Sequence, residues 1–254
     1  MVATARSNAA PALWLGALLL FMNLLALDTS TDTLFIAVAR GAQRWHHTGP
    51  GGAQASSQLL PAVRALMADA GLGFDTLDAI VFGRGPGSFT GLRTACAITQ
   101  GLAFAARHGA GVPVLPVDSL LALAESARSQ HGTTELVAAL DARMDEVYNA
   151  PYRYVDGAWQ ALADFSVCPP EAVVVPAGFA IAGNAHAVYG ERLAPGAVQV
   201  AALPTADALL NLAPAMLAQG LAVAAQDALP LYIRDKVAKT TAEREAAKLQ
   251  AAAS

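Results

Sequence analysis

Two stretches of this chain carry one pattern: Ala26-Leu27-Asp28-Thr29-Ser30-Thr31-Asp32 and Ala139-Leu140-Asp141-Ala142-Arg143-Met144-Asp145. In each, an apolar run ends in an aspartate, three residues intervene, and a second aspartate precedes a new run. Asn23–Leu27 reads as a buried strand, and Thr33–Arg40 (TLFIAVAR), β-branched and aromatic, reads as its hairpin partner. The later copy leads from Leu136–Leu140 into Glu146–Tyr154. Each copy thus reads as the first hairpin of a half-molecule, and an echo at matching places points to internal duplication. The expected class is α/β, with two similar half-domains, each a mixed sheet with flanking helices.

Outward from the first hairpin, Gly41–Gly52 is polar and glycine-rich and reads as a loop. Ser56–Ala70 places Leu59, Leu60, Val63, Leu66 and Met67 at helical spacing, with Ser56 or Ser57 as N-cap. Strands are expected at Leu77–Phe82 and Val112–Val117, and helices at Leu92–His108 and Ser119–Gln130. The second half is less regular. Val173–Val175 and Ala180–Gly183 read as short strands, and Asp207–Ala218 reads as a helix interrupted by Pro214. These readings divide the chain into an N-terminal half at 22–118, with a helix near 205–232 packing back on it, and a C-terminal half at 119–204. The segment 236–254 is charged and Ala-rich and reads as an exposed tail.

Before Met22 lies an apolar run, Ala9–Phe21, preceded by Arg6. It resembles the apolar centre of a signal peptide but abuts the first strand without a cleavage site. It is also short for a membrane span, which needs about 20 apolar residues. Residues 1–21 are therefore expected to be an upstream extension, with Met22 as the working start and no membrane partner.

The 254 residues are 55% hydrophobic and 14% charged, with a net charge of -4, which suits a globular chain with a large core. The acidic balance offers no electrostatic footprint for a phosphate backbone, so any nucleic-acid role is expected to be indirect. Cys96 and Cys168 form no CxxC pair, and the five histidines show no HxxxH or HExxH spacing; no metal site is expected.

The most distinctive segment is Gly83–Arg93, GRGPGSFTGLR. Four glycines and a proline in nine residues exclude a helix or strand interior. Between an apolar strand and a helix, such a loop can turn backbone N–H groups toward an anion, with Ser88 or Thr90 as helix cap. It is neither a Walker A loop nor a dinucleotide fingerprint. Phosphate binding through Gly85, Gly87 and Ser88 and a purely structural tight turn stand as equal readings. Asp28, Thr29 and Ser30 at a strand end are suited to a hydrated Mg²⁺ with a phosphate, or to a turn held by its own hydroxyls. Asp141 occupies the matching place and either faces Asp28 across a cleft between the halves or belongs to a charged hairpin turn in which Arg143 pairs with a neighbouring carboxylate. No catalytic residue is assigned.

With LLALDTST (24–31), FGRGPGSFTGLR (82–93), PVDSL (116–120), AALDARMDEVYNAPY (138–152) and LPLYIRD (229–235), the chain resembles the TsaB (YeaZ) family over residues 22–235. The resemblance implies the duplicated actin-like, sugar-kinase-like (ASKHA) fold. It also implies a non-catalytic subunit that binds TsaD, with the ATPase TsaE. In that system TsaD places a threonylcarbamoyl group on N6 of adenosine 37 in ANN-decoding tRNAs. Further implications are a homodimer when alone, contact with tRNA only through the complex, ATP and Mg²⁺ used by the complex but no cofactor of its own, and a cytoplasmic location. Many family members carry a histidine where this chain has Ala55, which removes even a vestigial ligand. In the family, helices of the N-terminal half meet the partner. Leu60, Val63, Met67, Ile98, Leu102 and Arg93 are accordingly expected near that surface, against the equal alternative that the apolar ones are ordinary core. A stand-alone nucleotide hydrolase or kinase-like enzyme using Asp28 and Asp141 is the competing expectation.

Overall fold

The structure is a computed structural model and describes residues 22–233. The expectations for residues 1–21 and for the tail at 236–254 lie outside the described residues.

Two sheets organise the molecule. The first comprises β1 (Asn23–Asp28), β2 (Thr33–Arg40), β3 (Gln43–Pro50), β4 (Ala79–Gly85) and β5 (Val114–Asp118), in the order β3-β2-β1-β4-β5. The second comprises β6 (Glu135–Arg143), β7 (Glu146–Val155), β8 (Ala158–Ala161), β10 (Ala180–Gly183) and β11 (Val198–Val200), in the order β11-β10-β6-β7-β8. A short β9 (Ser166–Cys168) also pairs with β7. In each sheet the first strand is antiparallel to the second and parallel to the fourth. The two sheets therefore share one topology: the duplication expected from the aspartate echo is present, in the ASKHA arrangement that the resemblance implies.

The central strand shows why the first half folds as it does. Leu25 and Leu27 point to one face of β1, and Leu24 and Ala26 to the other. Both faces are covered, so the whole run is apolar. Helices α1 (Ala55–Asp69) and α2 (Phe89–Ala105) cover the first face, with Leu59, Val63, Leu66 and Met67 packed against Ile36, Val38, Ile80 and Phe82. Helix α5 (Ala206–Ala218) covers the opposite face through Leu209, Leu210 and Ala213. Helix α3 (Ser119–His131) sends Ala122 into this second cluster and Leu120, Leu123 and Ala127 onto the other sheet. It is the wall shared by the two halves. Helix α4 (Ala185–Tyr189) is a short turn after β10.

Several expectations are corrected. Residues 43–50, read as loop, form strand β3; as an edge strand it needs few apolar residues, and Trp45 alone packs on the core. Gly41 at φ +60° supplies the two-residue turn into it. Neither Ser56 nor Ser57 caps α1: a 3-10 turn at Gly52–Gln54 runs straight into the helix, and the Ser57 hydroxyl donates back to the Gln54 carbonyl. Val173–Val175 is not a strand; Pro170 and Pro176 bracket it, leaving no room for a ladder. Pro214 does not interrupt α5. Strands β8, β9 and β11, of three or four residues each, are too short to read in the sequence.

Candidate functional site

The end of β1 is built around Asp28. Its side chain turns inward and is fully buried. The Ser30 backbone N–H and hydroxyl both donate to Oδ1, at 2.9 and 2.7 Å. Oδ2 has no partner; it faces Gly83 and lies beside the Ser119 hydroxyl, which is itself unpartnered. Burial pushes Asp28 up to about 7, against the opposing pull of the two Ser30 bonds and, behind them, of the Ser119 hydroxyl.

The glycine-rich segment packs against this hairpin. Gly83, Arg84 and Gly85 complete β4, and Phe89 already begins α2, so the expectation that the stretch excludes strand and helix is corrected. The loop itself is three residues, Pro86-Gly87-Ser88, with a cis Gly85–Pro86 bond. A β-carbon on Gly87 would lie 2.4 Å from the Ser30 carbonyl oxygen, and one on Gly91 would lie 1.9 Å from that of Thr29. A β-carbon on Gly85, which sits at φ +117°, would lie 2.7 Å from the Leu231 carbonyl oxygen. The Ser88 N–H donates to the Ser30 carbonyl at 2.7 Å, and the buried Thr29 hydroxyl donates to the Gly91 carbonyl. Ser88 is the N-cap of α2, accepting from the Gly91 N–H. The glycines here let two backbones approach, which is the structural alternative of the two readings.

Between the halves lies a cleft of about 360 Å³. Ser30, Thr31, Asp32 and Ser88 line its first-half side, and Asp141, Arg143, Tyr148 and Asn184 its second-half side. Asp28 is not among the lining residues, so the expected Asp28–Asp141 pair is not found. A side chain at the last position of β1 points into the sheet, and the turn carries Asp32 outward in its place. Arg143 crosses the cleft to Asp32 and also pairs with Asp141 at 3.2 Å. Asp141 accepts from the Tyr189 hydroxyl at 2.7 Å and from the Arg143 N–H at 2.9 Å. Its own N–H donates to Asn184 Oδ1. Burial and the Asp141 bond together push the Tyr189 phenol up to about 12.

The turn at Arg143, Met144 and Asp145 holds three successive non-glycine residues at φ near +60°. That conformation is costly for side chains with a β-carbon. Arg192 grips Asp145 through two bonds of 2.8 Å and also pairs with Glu171, which pins the tip. Sequence reading missed Tyr189 and Arg192; both sit in the irregular second half, and only the topology brings Tyr189 to Asp141 and Arg192 to Asp145.

A Mg²⁺–nucleotide pair fits these residues poorly. Asp28 offers no accessible oxygen, and the Ser88 amide is already bonded. Among the described residues no group of three potential metal ligands is present, and no helix is long and apolar enough to cross a membrane.

The expected partner residues separate by helical phase. Val63 and Met67 are core, 0% and 2% exposed, because they fall on the inward face of α1. Ile98 and Leu102 are half-buried against the same core. Leu60 and Arg93 are exposed. The outward face of α2 is instead Phe89, Arg93, Ala97, Gly101 and Phe104, with Phe104 71% exposed. Their spacing of three or four residues is legible in the sequence once the buried Ala95, Thr99 and Ala103 fix the opposite face.

Residues 42–252 match the model of the family described as TsaD, tRNA N6-adenosine threonylcarbamoyltransferase. The chain is 35% identical over 234 residues to the tRNA threonylcarbamoyladenosine biosynthesis protein TsaB of Haemophilus influenzae, covering 85% of this chain and 95% of that protein. It is 34% identical to the protein of the same name from Escherichia coli, over 85% of this chain and 96% of the other. Among solved structures, YeaZ from Pseudomonas aeruginosa superposes with a TM-score of 0.77 at 41% identity, covering 84% of this chain and all of that one.

Proposed function

The chain belongs to the TsaB (YeaZ) family of tRNA threonylcarbamoyladenosine biosynthesis proteins, and from that premise we propose that it is a non-catalytic subunit of the modification system. In this reading it binds a TsaD-type protein, together with TsaE, and supports transfer of the threonylcarbamoyl group to N6 of adenosine 37 in ANN-decoding tRNAs. It works in the cytoplasm, reaches tRNA only through the complex and needs no cofactor of its own; ATP and Mg²⁺ serve the complex. Alone, it pairs with a second copy.

The observation that carries the reading is the burial of Asp28. A kinase-like or ATPase chemistry at this cleft calls for a strand-end carboxylate that reaches a cation, and this one is sealed behind Gly83. The net charge of -4 supports the absence of a direct grip on tRNA. The partner face is assigned to the outward side of α2 with Leu60 of α1. Ala97 and Gly101 there are small enough for another helix to approach closely, and Phe89 and Phe104 flank them as apolar anchors.

Co-elution of this chain with a TsaD-type protein in size-exclusion chromatography tests the face. Ala97→Glu and Phe104→Glu leave the fold intact, since neither side chain is buried, and abolish the complex. Undiminished co-elution of both variants would place the partner elsewhere. Calorimetric titration of the isolated chain with ATP tests the other half of the proposal. Micromolar binding would favour the stand-alone enzyme; millimolar or absent binding agrees with the subunit role.

A further inference from the structure

The last six described residues, 228–233, touch both halves. The buried Ala228 packs in the first-half core, where its carbonyl accepts from Gln100 Nε2 at 2.9 Å. The Leu231 N–H donates to the Arg84 carbonyl at 2.7 Å. The Tyr232 ring lies against Phe89, with centroids 5.4 Å apart, and its hydroxyl accepts from Arg93 Nε at 3.0 Å. Arg93 in turn stacks over Phe89 at 3.7 Å. Ile233, the next residue, packs on the apolar cluster of the second sheet. The segment is thus fastened to the first half through residue 232 and anchored in the second at 233. Leu231, Tyr232 and Ile233 line the cleft between them.

We propose that 228–233 is a latch that sets how far the cleft opens. Across the cleft itself the Asp32–Arg143 pair also bridges the halves, with partners 76% and 65% exposed. An ion pair so exposed is a weak clasp. The latch adds an aromatic contact, backbone and side-chain hydrogen bonds and one half-buried aliphatic anchor, Ile233. Helix α3, packed on both sheets, is the wall about which the halves turn when the latch lifts. The latch is also shallow: Tyr232 is 44% and Leu229 62% exposed. Segments with few buried contacts open at low cost while the cores stay closed. A latch of this kind competes with anything that enters the cleft, and admits it only when Tyr232 leaves Phe89.

Hydrogen–deuterium exchange on the full chain tests this with three variants: Tyr232→Ala, Ile233→Asp and Arg93→Ala. The first two should raise exchange at residues 29–32 and 142–146, on the two lips of the cleft, by about tenfold. Exchange within residues 24–27 and 136–140 should stay as in the wild type. Arg93→Ala, whose exposed side chain belongs to neither core, should give the same pattern at smaller amplitude. Exchange that rises only within 228–233, rises equally throughout both sheets, or is unchanged in Arg93→Ala overturns the latch.

Discussion

At Asp28 the cost of burying a charge outweighs two hydrogen bonds to its carboxylate, and the residue titrates near 7 instead of near 4. Between about pH 4 and 7 the folded chain then holds a proton that the unfolded chain has already released. Stability from this group is therefore full below about pH 4, is lost as pH rises to 7, and is flat above. Between pH 5.5 and 7 the loss amounts to about 2 kcal/mol. Asp28→Asn, which retains an acceptor for Ser30, should abolish this slope in urea unfolding followed across that range and leave the variant more stable than the wild type at pH 8. An equal slope in both proteins would refute the raised pKa. At Gly91 the limit is space. Gly91→Ala should lower stability by about 3 kcal/mol or prevent folding, because the added carbon meets the Thr29 carbonyl oxygen; chemical denaturation measures it. The sequence marks both residues as unusual but leaves open whether the glycines serve an anion or a close approach. That choice depends on where the 28–32 hairpin lies, a contact between residues some 60 positions apart.

Among the elements, α1 and α2 show what apolar content hides and helical phase reveals. Val63 and Met67 were natural candidates for a partner face by hydrophobicity, yet both lie with Leu59 in the first core. Phe104 and Phe89, on the outward face, are the apolar residues left over. Leu59→Ala should cost about 2–5 kcal/mol, as for other large-to-small core changes. Phe104→Ser should change stability by no more than about 0.5 kcal/mol, as expected of an exposed position. Thermal melts of the two variants distinguish the faces, and a large loss in Phe104→Ser would contradict the assignment. Long apolar strands and helices are legible because their periodicity is strong. Strand β3 is not, because an edge strand of Gln43–Pro50 needs neither apolar alternation nor a buried face. Tyr189, Asn184 and Arg192 likewise follow short elements with no periodic pattern, so their convergence on Asp141 and Asp145 is set by topology alone.

For the whole molecule, two sheets of matching strand order face each other across a cleft from which the strand-end Asp28 is sealed off. The duplication was readable from two aspartates after apolar strands, because a strand–turn–strand unit leaves the same local signature wherever it recurs. The direction of Asp28 was not readable, since the sequence does not say to which side of a sheet a strand-end side chain turns. A cleft whose strand-end Asp28 is out of reach, beside an exposed helical face, agrees with the proposed subunit that acts by association. Reconstituted tRNA modification tests that claim most directly: TsaD, TsaE, the threonylcarbamoyl-adenylate synthase, ATP and an ANN-decoding tRNA, with and without this chain. The account predicts that threonylcarbamoyladenosine forms only when the chain is present, that Asp28→Asn supports the reaction as well as the wild type, and that Phe104→Glu does not. Modification at an undiminished rate without the chain would contradict it.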